Sequence, residues 1–196
     1  MKEEYLDVLK SNKVSYFYHF TNIVNLKSIL ANGILSVQEM RKRNISFSCT
    51  DKDRNDNQLN CISLSLTTTN KSMLYAKKKN ISTEWIVFEI NSVPIISKFY
   101  NRIYYCKYNA SSPSTIKILS DNGNYLRTIN AFRNMFDENS QINSQAEILL
   151  NGFVDMCDVN RIYVESIQSK LLVEQLLFEY KICSISVVIK KELFNV

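Results

Sequence analysis

Apolar side chains at positions 23, 26, 29 and 30 recur with the spacing of one helix face, which predicts a helix over residues 22–32. Thr21 or Asn22 can cap its start, and Gly33 stands where a left-handed helix end favours glycine. Just before it, Tyr16 to Phe20 is an aromatic, strand-like run. Residues 41–60 are rich in Asn, Asp, Lys and Ser and read as a long loop, a feature that in a compact domain is usually functional. Cys61 to Leu66 alternates apolar and polar positions, the pattern of a half-buried strand. A short helix is expected at Asn70 to Lys79, then strands at Trp85 to Ile90 and Ile103 to Cys106. Residues 109–123 form a second polar stretch, followed by a helix over Tyr125 to Phe136. Ala146 to Leu150 and Ile162 to Val164 read as strands, Ile167 to Tyr180 as an amphipathic helix, and Ile185 to Ile189 as a last strand. Helices and strands mix without strict alternation, so the fold class is α+β. No internal repeat interrupts the chain, and residues 1–196 are expected to form one domain.

Composition narrows the chemistry mainly by exclusion. The three glycines, Gly33, Gly123 and Gly152, are too scattered for a dinucleotide-binding or P-loop fingerprint, both of which need clustered glycines for close backbone approach to phosphate. His19 is the only histidine, so an H-E-x-x-H metal site is impossible. The five cysteines are odd in number, scattered and without a C-x-x-C, which reads as reduced thiols in a cytosol. No apolar run approaches the ~18 residues of a membrane span and no apolar signal region opens the chain, so a soluble cytoplasmic protein is expected. The formal charge of +5 permits a nucleic-acid partner without requiring one. Its basic runs, Arg41-Lys42-Arg43 and Lys77-Lys78-Lys79, are of a kind that more often forms a solvated face than a phosphate contact.

Three segments in order carry a resemblance. The first is Tyr18-His19-Phe20-Thr21-Asn22-Ile23-Val24-Asn25-Leu26-Lys27-Ser28-Ile29-Leu30, followed by Gly33-Ile34-Leu35-Ser36. The second is Arg54-Asn55-Asp56, Cys61-Ile62-Ser63-Leu64-Ser65 and Met73-Leu74-Tyr75. The third is Asn143-Ser144-Gln145-Ala146-Glu147-Ile148-Leu149, and a weaker fragment is Cys106-Lys107-Tyr108-Asn109-Ala110. Together they resemble the DarT family of nucleic-acid ADP-ribosyltransferases over roughly residues 16–165. The resemblance implies an ADP-ribosyltransferase-like fold: central twisted antiparallel or mixed sheets that form an NAD cleft, flanked by helices. It implies NAD as co-substrate with no metal, single-stranded nucleic acid as acceptor, no membrane, and a toxin role. A toxin implies a cognate antitoxin, either a macrodomain hydrolase or a blocking protein.

Such a transfer breaks the bond between nicotinamide and ribose, and positive charge develops on the sugar. A carboxylate near the ribose is therefore needed, with groups that hold NAD. Glu147 is the candidate: an ionised side chain in an apolar strand is costly unless it faces a polar cleft. The resemblance makes it catalytic, with Arg54 beside it. A guanidinium stays protonated, so Arg54 is expected to stabilise charge rather than take a proton. His19, Thr21 and Asn25 are the candidates for holding NAD, joined by Ser63 and Ser65 on their strand and by Tyr75, which could stack on nicotinamide. For each, an ordinary structural or surface role is the alternative. The acceptor strand is expected to cross Arg41, Lys42 and Arg43 on one side and Lys107, Tyr108 and Asn109 on the other, with single-stranded substrate because a base inside a duplex is out of reach. DNA is favoured. RNA as acceptor, a protein acceptor, and a non-catalytic nucleic-acid-binding module are the alternatives.

Overall fold

The computed structural model describes residues 2–48, 56–66, 74–75, 78, 83–136 and 142–194. At its centre lies a seven-stranded sheet. Its strands are β1 (Tyr16–Asn22), β2 (Ile62–Ser65), β3 (Trp85–Asn91), β4 (Ile103–Cys106), β5 (Glu147–Leu150), β6 (Val159–Val164) and β7 (Ser186–Ile189). The order is β4-β5-β2-β1-β3-β6-β7, antiparallel throughout except for β6 and β7. The sheet is therefore mixed, as expected. The α-helices are α1 (Lys2–Ser11), α2 (Leu26–Asn32), α3 (Val37–Lys42), α4 (Ser92–Phe99), α5 (Pro113–Ser120), α6 (Ile129–Arg133) and α7 (Ile167–Glu179).

Strand alternation divides the core. Phe17, Leu64, Phe88, Ile90, Ile148 and Ile162 turn to one face and pack with residues of α1, α2, α4, α6 and α7. Phe17 and Phe88 are wholly buried there, each contributing about 1.5–3 kcal/mol relative to exposure. The opposite face carries two separate smaller clusters. Cys61, Tyr104, Cys106, Ala110 and Leu149 cover the β4–β5–β2 end. Leu74, Trp85, Val87, Tyr163 and Phe194 cover the β3–β6 end. β3 is covered on both faces, which explains its nearly unbroken apolar sequence.

Several local expectations change. The predicted helix over 22–32 begins as a 3-10 turn, Ile23–Asn25, before α2, with the Asn22 side chain accepting from the Val24 amide. Gly33 has φ 76° with ψ 179°, a positive-φ conformation that favours glycine although it is not the left-handed helical one. Glycine is still required, because a Cβ there would lie 2.5 Å from the Val154 carbonyl oxygen. The polar stretch at 109–123 contains α5. Its start is capped by the Ser112 hydroxyl, with Pro113 in the first turn, where no amide is needed. The helix predicted over 125–136 is a 3-10 turn, Asn124–Arg127, followed by the short α6. α3 extends into the segment read as a loop from residue 41. Of the helix predicted at 70–79, residues 74, 75 and 78 are described and are helical.

Candidate active site

The centre of the sheet forks. β1 and β3 pair along all of β1, from Tyr16 with Asn91 to Asn22 with Trp85. Between β1 and β2 a single register pair forms among the described residues, Tyr18 with Ser65. Beyond that pair the strands part. His19, the next residue, is half-buried, and its Nδ1 lies 3.0 Å from the Ser63 carbonyl oxygen. A carbonyl only accepts, so Nδ1 carries the proton, and in the neutral ring Nε2 is left as an acceptor.

Ser63 also faces the other half of the sheet. Its hydroxyl donates to Glu147 Oε2 at 2.6 Å, while the Ala110 amide donates to Oε1 at 2.6 Å. Glu147 begins β5, opposite Ser65 on one side and Cys106 on the other, and is only 6% exposed. Burying a carboxylate is tolerable when both oxygens are hydrogen-bonded, as they are here. One residue of β2 thus ties the imidazole of β1 to the carboxylate of β5.

His19, Thr21 and Asn25 line an open recess with Ser28, Met40 and Phe47. The Asn25 side chain donates to Thr21 Oγ1 and to the Ser48 carbonyl, both at 2.9 Å, and accepts from the Ser48 amide at 2.7 Å. This fixes the recess wall to the start of α2. Ser65 is buried in the register row of Glu147. Tyr75 is 54% exposed and is not among the residues lining the recess. Arg54 lies outside the described residues.

The two groups of nucleic-acid candidates differ. Arg41 and Lys42 end α3 and Arg43 caps it, so the run is a helix terminus rather than a loop. Lys42 and Arg43 both pair with Glu39, at 4.0 and 2.8 Å, an exposed arrangement worth at most about 1 kcal/mol. Lys107 and Tyr108 are exposed, Tyr108 by 49%. Asn109 folds its side chain back to accept from the Ser111 amide at 2.8 Å. That turn presents the Ala110 amide to Glu147, so the loop of Lys107, Tyr108 and Asn109 is tied to the carboxylate.

Sequence reasoning missed two features here. The Ala110 amide is one, since backbone donors leave no compositional trace. The other is Glu89, 4% exposed on β3, which accepts from Tyr163 Oη and Asn160 Nδ2 at 2.6 Å each and from Tyr18 Oη at 3.4 Å. Arg161 Nε lies 3.1 Å away, close enough for attraction though not aligned as a hydrogen bond. A single acid inside Trp85-Ile86-Val87-Phe88-Glu89-Ile90 was the available signal. Burial, with Glu89 beside it, pushes the Tyr163 phenol up to about 12. Among the described residues no three His, Cys, Asp or Glu side chains converge as a metal site would require. Nor is any helix there long and apolar enough to cross a membrane.

A family model described as "ssDNA thymidine ADP-ribosyltransferase, DarT" matches residues 18–195. The fold is similar to that of Thermus sp. 2.9 DarT in complex with ADP-ribosylated ssDNA, with a TM-score of 0.65 and 15% identity over 93% of this chain and 97% of that one. The same protein in complex with NAD+ gives 0.64 and 15%, over 93% and 98%. Thermosipho africanus DarTG in complex with ADP-ribose gives 0.62 and 19%, over 92% of this chain and 51% of that one. The chain thus spans about half the length of the Thermosipho chain. No individually curated protein matches the sequence.

Proposed function

The chain belongs to the DarT family of ssDNA thymidine ADP-ribosyltransferases, and from that premise we propose that it transfers ADP-ribose from NAD to a thymine base of single-stranded DNA, with Glu147 as the catalytic carboxylate. The observation that carries this reading is the Ser63 bridge, which fixes His19 and Glu147 on opposite sides of the fork. The Thermus relative, solved both with NAD+ and with ADP-ribosylated ssDNA, supports the choice of co-substrate and acceptor.

NAD enters the recess beside His19, Thr21 and Asn25. His19 Nε2 accepts from a ribose hydroxyl, a role its fixed tautomer suits. The bond from the anomeric carbon to nicotinamide breaks, and the electron pair leaves with nicotinamide. Glu147 stabilises the cationic sugar. A base nitrogen then forms the new bond to that carbon, and its proton passes to Glu147 or solvent. Ser63 and the Ala110 amide hold the carboxylate in place for both steps. Arg54 stabilises charge on the phosphates or base, Ser65 lines the cleft, and Tyr75 closes over nicotinamide. Lys107, Tyr108 and Asn109 carry the acceptor strand past Glu147, and Arg41, Lys42 and Arg43 contact phosphates farther along.

We propose further that the enzyme acts as a toxin in the cytoplasm, as its family membership implies, because an ADP-ribosyl group on a base blocks that base's pairing. It therefore needs a neutralising partner, either a hydrolase that removes the mark or a protein that blocks the cleft. The test is a mass measurement on single-stranded DNA, RNA and protein treated separately with enzyme and NAD. Addition of one ADP-ribosyl unit to thymine-containing DNA is expected, and Glu147→Ala should abolish it while leaving the circular dichroism spectrum unchanged. Label confined to RNA or protein would replace the acceptor. Full activity in Glu147→Ala would remove the carboxylate from its role.

A further inference from the structure

The helix α7 is apolar on two sides. Ser169, Val173, Leu176 and Leu177 are buried, the last three in the main core. On the other side Ile167, Leu171 and Phe178 follow one another along the helix, 52%, 61% and 82% exposed. At about 100° per residue these three fall within roughly 40° of one another, and roughly 150° from the centre of the buried face. A surface helix needs one apolar stripe to seat on its own core. The packing of this chain does not account for a second stripe facing water, and contiguous exposed apolar side chains mark interaction surfaces. One position in the stripe is charged. Glu174 stands between Leu171 and Phe178, and Lys170 Nζ lies 3.6 Å from its Oε1. None of these residues lines the recess beside His19.

We propose that this stripe is the interface of a weak homodimer, in which two copies of α7 pack antiparallel about a twofold axis. The stripe complements itself in that direction. Turned end over end about a point between Leu171 and Glu174, a second copy sets Ile167 against the partner's Phe178 and Leu171 against the carbon stem of the partner's Glu174. The same turn brings each Lys170 beside the partner's Glu174, so carboxylates and ammonium groups alternate at the centre. A parallel pairing would instead set Glu174 against Glu174, and like charges facing each other across an interface are costly. The 13 residues of α7 make a seam about 20 Å long and 10–12 Å wide. That covers less than the roughly 800 Å² per partner of a standard stable interface, so the association belongs to the weak, reversible class.

Sedimentation velocity at about 1 to 500 µM tests the association, and a dissociation constant on the order of 10–100 µM is expected. Leu171→Glu should weaken it at least about tenfold while leaving the melting temperature within about 2 °C of the parent, because the position is exposed. Glu174→Lys should weaken it by a similar factor, since four cations then meet at the centre. The double variant Lys170→Glu/Glu174→Lys should return to within about threefold of the parent. Direction is read by disulfide trapping in a chain that also carries Cys49→Ser, Cys157→Ser and Cys183→Ser. Ile167→Cys and Phe178→Cys chains should cross-link when mixed under oxidising conditions, and neither should cross-link alone. A chain that stays monomeric across the concentration range overturns the proposal, as does a dimer that Leu171→Glu leaves intact. Cross-linking of Ile167→Cys to itself would overturn the antiparallel arrangement.

Discussion

Replacing Ser63 with alanine tests the bridge directly. The change removes one hydroxyl and leaves the Ser63 carbonyl free to accept from His19 as before. Glu147 loses the Ser63 donor at Oε2 and keeps the Ala110 amide at Oε1. Glu147 is 6% exposed, so water has little access to replace the lost bond. A hydrogen bond to a charged, buried acceptor contributes about 1.5–3 kcal/mol. In a domain of this size each kcal/mol shifts the melting temperature by roughly 2–4 °C, so a drop of roughly 3–12 °C is expected by scanning calorimetry. Catalysis should suffer more than stability. A carboxylate displaced by about 1 Å from the anomeric carbon can cost on the order of 100-fold, so kcat should fall by roughly 10- to 100-fold while KM for NAD stays within about threefold. Ser63→Thr restores the hydroxyl on a side chain that suits a strand, and should recover most of the rate. A Ser63→Ala enzyme with unchanged melting temperature and kcat within twofold would show that the hydroxyl does not position Glu147.

Gly33→Ala should lower the urea midpoint by the equivalent of at least about 2 kcal/mol, because φ is 76° and the new Cβ would meet the Val154 carbonyl at 2.5 Å; an unchanged midpoint would contradict that contact. Tyr163 sets a pH dependence. Its folded pKa, about 12, lies above the ordinary value of 10.0, so the neutral phenol is favoured in the fold. The stabilisation is complete below pH 10, is lost as pH rises toward 12, and should appear as a falling denaturant midpoint over that window. Tyr163→Phe should flatten this alkaline slope while lowering stability at neutral pH, since Glu89 loses one of its two 2.6 Å donors; a slope equal to the parent's would assign it to another group. Tyr108→Ala should raise KM for a single-stranded oligonucleotide roughly tenfold, as loss of one stacked base would. Nicotinamide release without oligonucleotide should be unchanged, and a matching loss there would place Tyr108 on the NAD side instead.

The strands were legible wherever one face is buried. Cys61 to Leu66 alternates because β2 has Leu64 in the main core and Ser63 and Ser65 toward the cleft. Trp85 to Ile90 does not alternate because both faces of β3 are covered. Glu147 stood out for the same physical reason: an acid in an apolar strand must find donors, and it did. Helices were harder. α4 contains Val93, Pro94, Ile95 and Ile96, an apolar β-branched run that propensity alone does not read as helix, and Pro94 fits because it sits in the first turn. α1 carries Tyr5, Val8 and Leu9 at helical spacing, but its first turn is polar and its ten residues give that pattern little length in which to repeat. α5 hid in a polar stretch, betrayed only by the Ser112-Pro113 start.

What no local pattern could supply is the place where pairing stops. Residues 19, 63, 110 and 147 meet because β2 lies between β1 and β5, a consequence of strand order that periodicity does not encode. The fork then does chemical work through hydrogen-bond accounting. In a continuous ladder the Ser63 carbonyl would pair with a backbone amide of β1. With the strands parted, the His19 imidazole takes that amide's place, and its tautomer is set by the separation of the strands. The Ser63 side chain meanwhile spans to the carboxylate of Glu147 on the other half of the sheet. A substitution that closed the ladder past Tyr18 and Ser65 would therefore remove the cleft and release His19 together, even with every candidate site residue still present in the sequence.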